Sequence, residues 1–166
     1  MRLFIAITLS KKMKDALSDV QEKMRRMGVR GNYTVSDNLH LTLAFIGEYL
    51  DAEEVLDVID EVQFEPFRIQ LNGLGSFGRL WWAGLEGSGE LETLCKKLRR
   101  ALSNAGIPYD HKKFSPHITL IRKPVSQTGA IPAEAFEALR HAGMTVDHIS
   151  LMRSDRGKHG MIYTEL

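Results

Sequence analysis

Two stretches of the sequence, NLHLTLAF at residues 38–45 and SPHITLIR at residues 115–122, share one pattern. In each, a histidine, an apolar residue, a threonine and a second apolar residue follow in order, and the two histidines stand 77 positions apart. Because side chains alternate along a strand, the histidine and the threonine share one face. Leu41, Leu43 and Phe45 take the other face, so each stretch predicts a strand with an apolar core side and one polar step.

The residues around these motifs repeat as well. A shift of 78 positions aligns the apolar positions of a helix that ends at Gly28 with those of a helix that ends at Gly106. Apolar spacing is common to all amphipathic helices, but a helix end and a motif in nearly one register indicate a duplication. We predict an α+β fold of two similar lobes related by pseudo-two-fold symmetry, each an antiparallel sheet with helices on the outside. A single bilobal domain would span residues 1–166, with halves of roughly 1–87 and 88–166 and an active site in the cleft between them.

Composition narrows the cellular setting. The chain has 166 residues and a net charge of +1, which gives it no general attraction to nucleic acids or anionic membranes. Its single cysteine, Cys95, excludes an internal disulfide and favours a reducing compartment. The opening MRLFIAITLS has too short an apolar run for a signal peptide, and no stretch approaches the ~18 apolar residues of a membrane span. We expect a cytoplasmic protein with no membrane association and no obligate protein partner.

The two motifs together suit phosphate chemistry. If the lobes face each other, His40, His117, Thr42 and Thr119 converge, which gives two groups that titrate near neutral pH and two neutral hydrogen-bond donors. Such a set can move protons on either side of a tetrahedral anion. Either histidine alone is explained as readily by hydrogen bonding in or near the core. Zinc is a rival reading, but threonine is a poor zinc ligand, so we expect no metal. The other histidines show no ligand spacing; these are His111, His141, His148 and His159.

A glycine-rich stretch offers a second, misleading motif. Residues 73–78, GLGSFG, match the G-x-G-x-x-G spacing of dinucleotide-binding loops. In such loops the glycines open a helix whose N-terminus holds the pyrophosphate. The residues that follow are RLWWAGLE, a β-prone and aromatic run. The stretch therefore predicts a hairpin turn.

The motifs and their flanks resemble a known family. HLTL at 40–43 and HITL at 117–120 are similar to the paired motifs of the two-histidine (2H) phosphoesterase superfamily. The longer stretches DNLHLTLAFIGE and FSPHITLIR resemble the RNA 2′,3′-cyclic phosphodiesterase branch, also called LigT-like proteins or 2′-5′ RNA ligases. RLFIAITL at the start, LWWAGLE in the middle, and Ser154 followed by YTEL at the end are similar too. The resemblance covers essentially the whole chain.

This resemblance implies attack of water on a 2′,3′-cyclic phosphate without metal or cofactor, leaving a 2′-phosphate. By the same analogy, His40 is the proton donor to the departing 3′ oxygen and His117 the proton acceptor from water, while Thr42 and Thr119 bind the phosphate oxygens. The sequence alone leaves the acid and base assignment open, because the repeat makes the two histidines nearly equivalent. The substrates would be RNA ends or nucleotides with a 2′,3′-cyclic phosphate, with tRNA fragments as one candidate. Two alternatives are 2′-5′ RNA ligase activity at the same site and a non-catalytic module that binds nucleotides or RNA.

Four further residues are candidate substrate contacts. Arg122 ends the second motif, and arginine suits phosphate, but strict alternation places it opposite the motif histidine, where a structural salt bridge is as readily expected. Trp82 and the tryptophan before it point to opposite faces, so one belongs to the core and the other could stack a base. Phe114 and Tyr33 flank the motifs, although packing explains each of them equally well.

Overall fold

The computed structural model describes residues 1–87 and 89–166, and within them it contains nine strands, four α-helices and one short 3-10 turn at Ser36–Asn38. In chain order the elements are β1 (Arg2–Thr8), α1 (Lys11–Arg26), β2 (Arg30–Tyr33), β3 (His40–Glu48), α2 (Ala52–Glu61), β4 (Phe67–Phe77), β5 (Leu80–Glu86), α3 (Glu90–Asn104), β6 (Ile118–Val125), α4 (Ala133–Ala138), β7 (Gly143–Val146), β8 (Ser150–Gly157) and β9 (Gly160–Glu165). In the described part of the chain no helix combines the length and the apolarity needed to span a membrane.

The strands form two sheets. The first sheet has the order β3-β1-β8-β9 and the second the order β2-β6-β5-β4-β7. All paired strands in both sheets run antiparallel. The predicted α+β fold with two antiparallel sheets is therefore confirmed, and each sheet carries one of the two histidine motifs.

The halves of the sequence do not coincide with the sheets. Strands β8 and β9, from the second half, complete the sheet that contains the first motif. Strand β4, from the first half, lies in the sheet that contains the second motif. The helices cross over in the same way, since α1 packs near β6 and α3 packs near β3. Each sheet thus depends on both halves, and the duplication of residues 1–87 and 88–166 stays a prediction.

Helix α1 shows how the sequence sets these elements. Ser10 caps its N-terminus, where the side-chain oxygen accepts a hydrogen bond from the Met13 amide at 3.2 Å. Gly28, just beyond its end, has φ of 83°, which glycine adopts without strain. The apolar positions predicted from the spacing are all buried; these are Met13, Ala16, Leu17, Val20 and Met24. Gln21 is buried among them, which the apolar pattern did not predict.

Strand β3 contains a β-bulge directly after its histidine–threonine motif. Thr42 lies opposite Ala6 of β1, whereas Ala44 lies opposite Ile5. Leu43 is therefore an extra residue without a partner in the ladder. Leu43 and Ala44 are both buried, so the alternation of side chains changes phase at this point.

Strand β6 has the same irregularity at the equivalent position. Thr119 lies opposite Trp82 of β5, and Ile121 lies opposite Trp81, which leaves Leu120 as the extra residue. Leu120 and Ile121 are again both buried. A bulge at the same place in both motif strands indicates that it belongs to the design of the motif.

These bulges correct two predictions that rested on strict alternation. Phe45 was expected to face the core, but it is 52% exposed and its ring lies 6.2 Å from that of Phe4, on the face that carries His40. Arg122 was expected to lie opposite His117, but the phase change after Leu120 returns it to the face of the histidine. We call the faces that carry the two histidines the motif faces.

The glycine-rich stretch forms the end of β4 and a hairpin, as predicted. Phe77 pairs with Leu80, and Gly78 has φ of 54° in the tight connection between β4 and β5. Gly75 has a second role, because a Cβ atom there would lie 2.3 Å from the ring of Trp82. The absence of a side chain at this position lets the indole lie across the strand, next to the second histidine motif.

Candidate active site

His40 begins β3 and is held by contacts on several sides. Its Nδ1 lies 2.7 Å from the carbonyl oxygen of Asn38, and its Nε2 lies 2.8 Å from Oγ1 of Thr42. A carbonyl only accepts hydrogen bonds, so Nδ1 carries the proton, and Nε2 of the neutral ring accepts from the Thr42 hydroxyl. The rings of Phe4 and Tyr163 flank the imidazole with centroid distances of 5.0 and 5.2 Å. These contacts fix both the tautomer and the orientation of the ring.

His117 lies one residue before β6 and repeats this arrangement. Its Nδ1 is 2.7 Å from the carbonyl oxygen of Ser115, again two residues earlier in the chain. Phe77 and Trp82 flank its imidazole with centroid distances of 5.1 and 6.3 Å. Among the described residues no hydrogen bond joins this histidine to Thr119, which is half-buried beside it. In both neutral rings Nε2 is therefore the nitrogen without a proton, and of the two only Nε2 of His40 is bonded to the threonine of its own motif.

Electrostatics connects the two motifs. Burial is the largest cause that lowers the pKa of His40 below its ordinary value of 6.5, while the bond to the Asn38 carbonyl acts in the opposite direction. The positive charges of Arg122 and of protonated His117 lower this pKa further. Such an effect requires these groups to lie within electrostatic reach of the imidazole. Arg122 and His117 therefore lie within electrostatic reach of the His40 imidazole.

Arg122 contributes positive charge to the surroundings of His40. Its side chain is exposed, and within residues 1–87 and 89–166 it forms no ion pair with a carboxylate. The alternative reading of Arg122 as a strand-end salt bridge is thus not supported. An arginine within electrostatic reach of His40 and without a carboxylate partner among the described residues suits a bound phosphate.

The other three candidates differ in their placement. Trp82 lies beside the second histidine, and its Nε1–H is buried without a hydrogen-bond partner among the described residues. Tyr33 packs against the core, donates its hydroxyl to the carbonyl of Val29 at 2.8 Å, and lies under the guanidinium of Arg25 at 4.2 Å. Phe114 also packs against the core. The structure brings only Trp82 of these three next to a motif histidine.

Of the four aromatic residues that flank the histidines, sequence reasoning named Trp82 and missed Phe4, Tyr163 and Phe77. Phe4 and Trp82 stand 78 positions apart, the same shift that aligns helices α1 and α3. Extending that shift to the strands before the helices would have predicted Phe4 as the counterpart of Trp82. Tyr163 and Phe77 had no such signal, because their positions depend on which strands pair across the halves.

Metal binding and thiol chemistry depend on the possible metal ligands and on the single thiol of the described part of the chain. No group of three or more histidine, cysteine, aspartate or glutamate side chains is arranged there to hold a metal ion. Cys95 is buried, and its Sγ lies 3.3 Å from the carbonyl oxygen of Leu43. Burial raises the pKa of this thiol, which disfavours the thiolate that a nucleophilic cysteine needs.

Both histidine motifs lie within the part of the chain that matches a known family. The family model of the 2′-5′ RNA ligase superfamily matches residues 13–158 of the chain. The chain belongs to this superfamily. The RNA 2′,3′-cyclic phosphodiesterase of Thermus thermophilus is 34% identical to this chain over 183 residues. The match covers 100% of this chain and 88% of the relative. The enzyme of the same name from Aeropyrum pernix is 32% identical over 168 residues, with 93% and 94% covered.

A solved structure agrees with these relatives. The crystal structure of Escherichia coli LigT complexed with 3′-AMP matches this chain with a TM-score of 0.79 and 27% sequence identity. The match covers 99% of this chain and 94% of the LigT chain. The resemblance to the RNA 2′,3′-cyclic phosphodiesterases, and with it membership of the 2H phosphoesterases, is confirmed.

The environment of His40 predicts its titration. Its pKa in the folded protein lies below 6.5, so the unfolded chain binds more protons at this residue as the pH falls through that value. The contribution of His40 to the free energy of unfolding is therefore constant above 6.5 and is lost progressively as the pH falls towards the folded pKa. NMR titration of the imidazole Cε1–H signals measures the pKa, and urea unfolding of wild type and His40→Gln at several pH values measures the linkage. A folded pKa at or above 6.5 contradicts the described environment.

Proposed function

We propose that this protein hydrolyses terminal 2′,3′-cyclic phosphates of RNA or nucleotides to 2′-phosphates, with His40 and His117 as an acid–base pair and without a metal ion. The relatives named RNA 2′,3′-cyclic phosphodiesterase support the reaction. The observation that carries the proposal is the matched environment of the two imidazoles. In each ring Nδ1 lies 2.7 Å from a carbonyl oxygen, and the charge of His117 lowers the pKa of His40. We place the reaction in the cytoplasm, with tRNA fragments among the substrates.

The reaction needs one proton accepted and one donated at a single phosphorus atom. Nε2 of His117 accepts a proton from water as the water oxygen forms its bond to phosphorus. Nε2 of His40 donates a proton to the 3′ oxygen as the bond between phosphorus and that oxygen breaks. The product is a 2′-phosphate monoester with a free 3′ hydroxyl. General acid–base catalysis of this kind requires both nitrogens near the same phosphate.

Neutral and charged donors hold the phosphate in this scheme. The hydroxyls of Thr42 and Thr119 lie on the motif faces, and Arg122 supplies a charge-assisted donor. In the free protein the Thr42 hydroxyl bonds to Nε2 of His40, which keeps that nitrogen unprotonated. A bound phosphate can take over this hydroxyl, and its negative charge favours protonation of the imidazole. Substrate binding would thus prepare His40 for its role as the acid.

Exposed aromatic rings beside the histidines suit the base of the substrate. Phe45 is 52% exposed and Phe77 is 44% exposed, and both lie on the motif faces. Bases stack on aromatic side chains with little sequence preference. Trp82, the stacking residue proposed from sequence, lies behind Phe77 at a centroid distance of 5.1 Å. We propose Phe77 as the contacting ring and Trp82 as its support.

The superfamily's description favours RNA ligation as a second candidate function. In that reaction the 5′ hydroxyl of another RNA replaces water as the nucleophile, and a 2′-5′ linkage forms at the same site. Water at ~55 M outcompetes this hydroxyl unless the second RNA end is held in place. A non-catalytic binding module would not need two titratable imidazoles with matched tautomers.

The test of hydrolysis uses an RNA oligonucleotide that ends in a 2′,3′-cyclic phosphate, with chelator present. Wild type should release the 2′-phosphate, identified by chromatography against 2′- and 3′-phosphate standards, with a bell-shaped pH dependence. His40→Ala and His117→Ala should each lower kcat roughly 10²–10⁴-fold, the usual effect of positioned proton transfer. Thr42→Ala and Thr119→Ala should cost less, about 1–2 kcal/mol of transition-state stabilisation each.

His148→Ala is the matched control, because this exposed histidine forms its hydrogen bond with the neighbouring Asp147 and lies outside both motifs. Near-normal activity of both motif histidine variants would overturn the catalytic proposal. Activity that disappears with chelator and returns with a divalent ion would overturn the metal-free reaction.

A second substrate separates the acid from the base. An activated aryl phosphodiester has a leaving group that departs without a proton, so it needs the base but not the acid. His40→Ala should therefore regain most of its lost activity with this substrate, and His117→Ala should remain impaired. Relative kcat/KM values for the two substrates report the assignment. Rescue of His117→Ala in place of His40→Ala would reverse the roles.

A further inference from the structure

Gln21 is the polar residue that the helical pattern did not predict. It lies on α1, is only 3% exposed, and points its side-chain amide towards the second motif. Its Nε2 donates to the carbonyl oxygen of Leu120 at 2.9 Å and to that of Thr34 at 2.8 Å. One buried amide therefore joins the helix to two backbone segments that are distant from it in sequence.

The carbonyl that receives this bond belongs to the bulge. Leu120 is the extra residue of β6, so its backbone lies outside the regular ladder with β5. A buried carbonyl needs a donor from elsewhere. Gln21 supplies one, and the backbone amide of Thr34 supplies another at 3.0 Å.

The first motif has an equivalent arrangement built with a different side chain. Arg99 lies on α3, and its Nε and Nη2 donate to the carbonyl oxygen of Leu43, the extra residue of β3, at 3.3 and 3.1 Å. Its Nη1 donates to the carbonyl oxygen of Lys112 at 2.7 Å. Gln21 and Arg99 stand 78 positions apart, as do Thr34 and Lys112. At each bulge one helix side chain thus bridges two carbonyls, and at Leu43 the Sγ of Cys95 also lies 3.3 Å from the carbonyl oxygen.

We propose that Gln21 and Arg99 are positioning residues for the reaction. Each holds the bulge that sets the direction of the side chain two residues beyond it, Arg122 or Phe45, towards the histidines. This inference rests on the proposed function, since it assigns Arg122 to the bound phosphate. Neither Gln21 nor Arg99 touches the reacting atoms; each acts through the strand that it holds.

The physical basis is the competition between a bulge and regular pairing. A one-residue change of register moves every following side chain to the other face of a sheet. Regular pairing through Leu120 would therefore move Arg122 away from His117. Loss of the Gln21 amide leaves two carbonyls without that donor, which destabilises the bulged form. We therefore expect the bulge to be lost when the helix side chain that holds it is replaced.

A double-mutant cycle with Arg122 tests the proposal. Gln21→Met keeps the approximate volume but cannot donate, and it should lower kcat/KM about 10- to 100-fold, the range for losing a charge-assisted hydrogen bond. Arg122→Ala should have a similar effect, and the double variant should be no worse than the more impaired single variant. Additive losses in the double variant would overturn the proposal, because independent sites add.

Two controls separate positioning from general destabilisation. Val20→Ala removes buried volume from the same helix without touching a carbonyl, so its effect should add to that of Arg122→Ala. Arg99→Met should also add, since it acts on the bulge before Phe45. If Gln21→Met does not fold, Gln21→Asn takes its place, because the shorter amide reaches at most one carbonyl. The specific role of Gln21 would be overturned if the coupling energy between Arg122→Ala and Val20→Ala equalled the coupling energy between Arg122→Ala and Gln21→Met.

A second readout does not depend on activity. The charge of Arg122 lowers the pKa of His40, so Gln21→Met should raise that pKa to its value in Arg122→Ala, with no further rise in the double variant. NMR titration of the His40 Cε1–H signal measures this pKa without substrate, whether or not the protein has hydrolase activity. Failure of the proposed function and failure of this inference are therefore distinguishable. An unchanged pKa in either Gln21→Met or Arg122→Ala would overturn the inference.

Discussion

The bond from Nδ1 of each motif histidine to the carbonyl oxygen two residues earlier is the interaction on which the site depends. It measures 2.7 Å for both His40 and His117. By fixing the proton on Nδ1, it leaves Nε2 of each ring available for the proton transfer that we propose. Without it, either ring could rotate or change tautomer, and the two nitrogens would no longer address one phosphate. The flanking aromatic rings add to this restraint by packing against the imidazoles.

The exchange of strands and helices between the halves supports this bond. Because β8 completes the first sheet and β4 lies in the second, neither motif face can form from one half alone. Helices α1 and α3 then reach across to the opposite motif through Gln21 and Arg99. The two motifs are therefore fixed relative to each other by the same contacts that build the core. A site that must hold two imidazoles around one phosphate benefits from such a rigid frame.

The sequence predicted the elements well but not the points where strict periodicity fails. The fold of two sheets followed from the repeated register of helix and motif, and the apolar positions of α1 followed from the spacing of apolar residues. Phe45 and Arg122 were placed wrongly because a bulge inserts one residue without changing the composition of the strand. Gln21 was overlooked because a buried amide depends on its partners, and those carbonyls are distant in sequence. Tyr163 was unassigned because strand exchange is decided by long-range pairing.

The central claim is that both histidines address one phosphate. NMR titration of the protein with a nucleoside 2′-monophosphate measures this directly through the Cε1–H signals of His40 and His117. The account predicts that both signals shift with one dissociation constant and a stoichiometry of one ligand per chain. A shift of one signal alone, or two separate dissociation constants, would contradict a shared site.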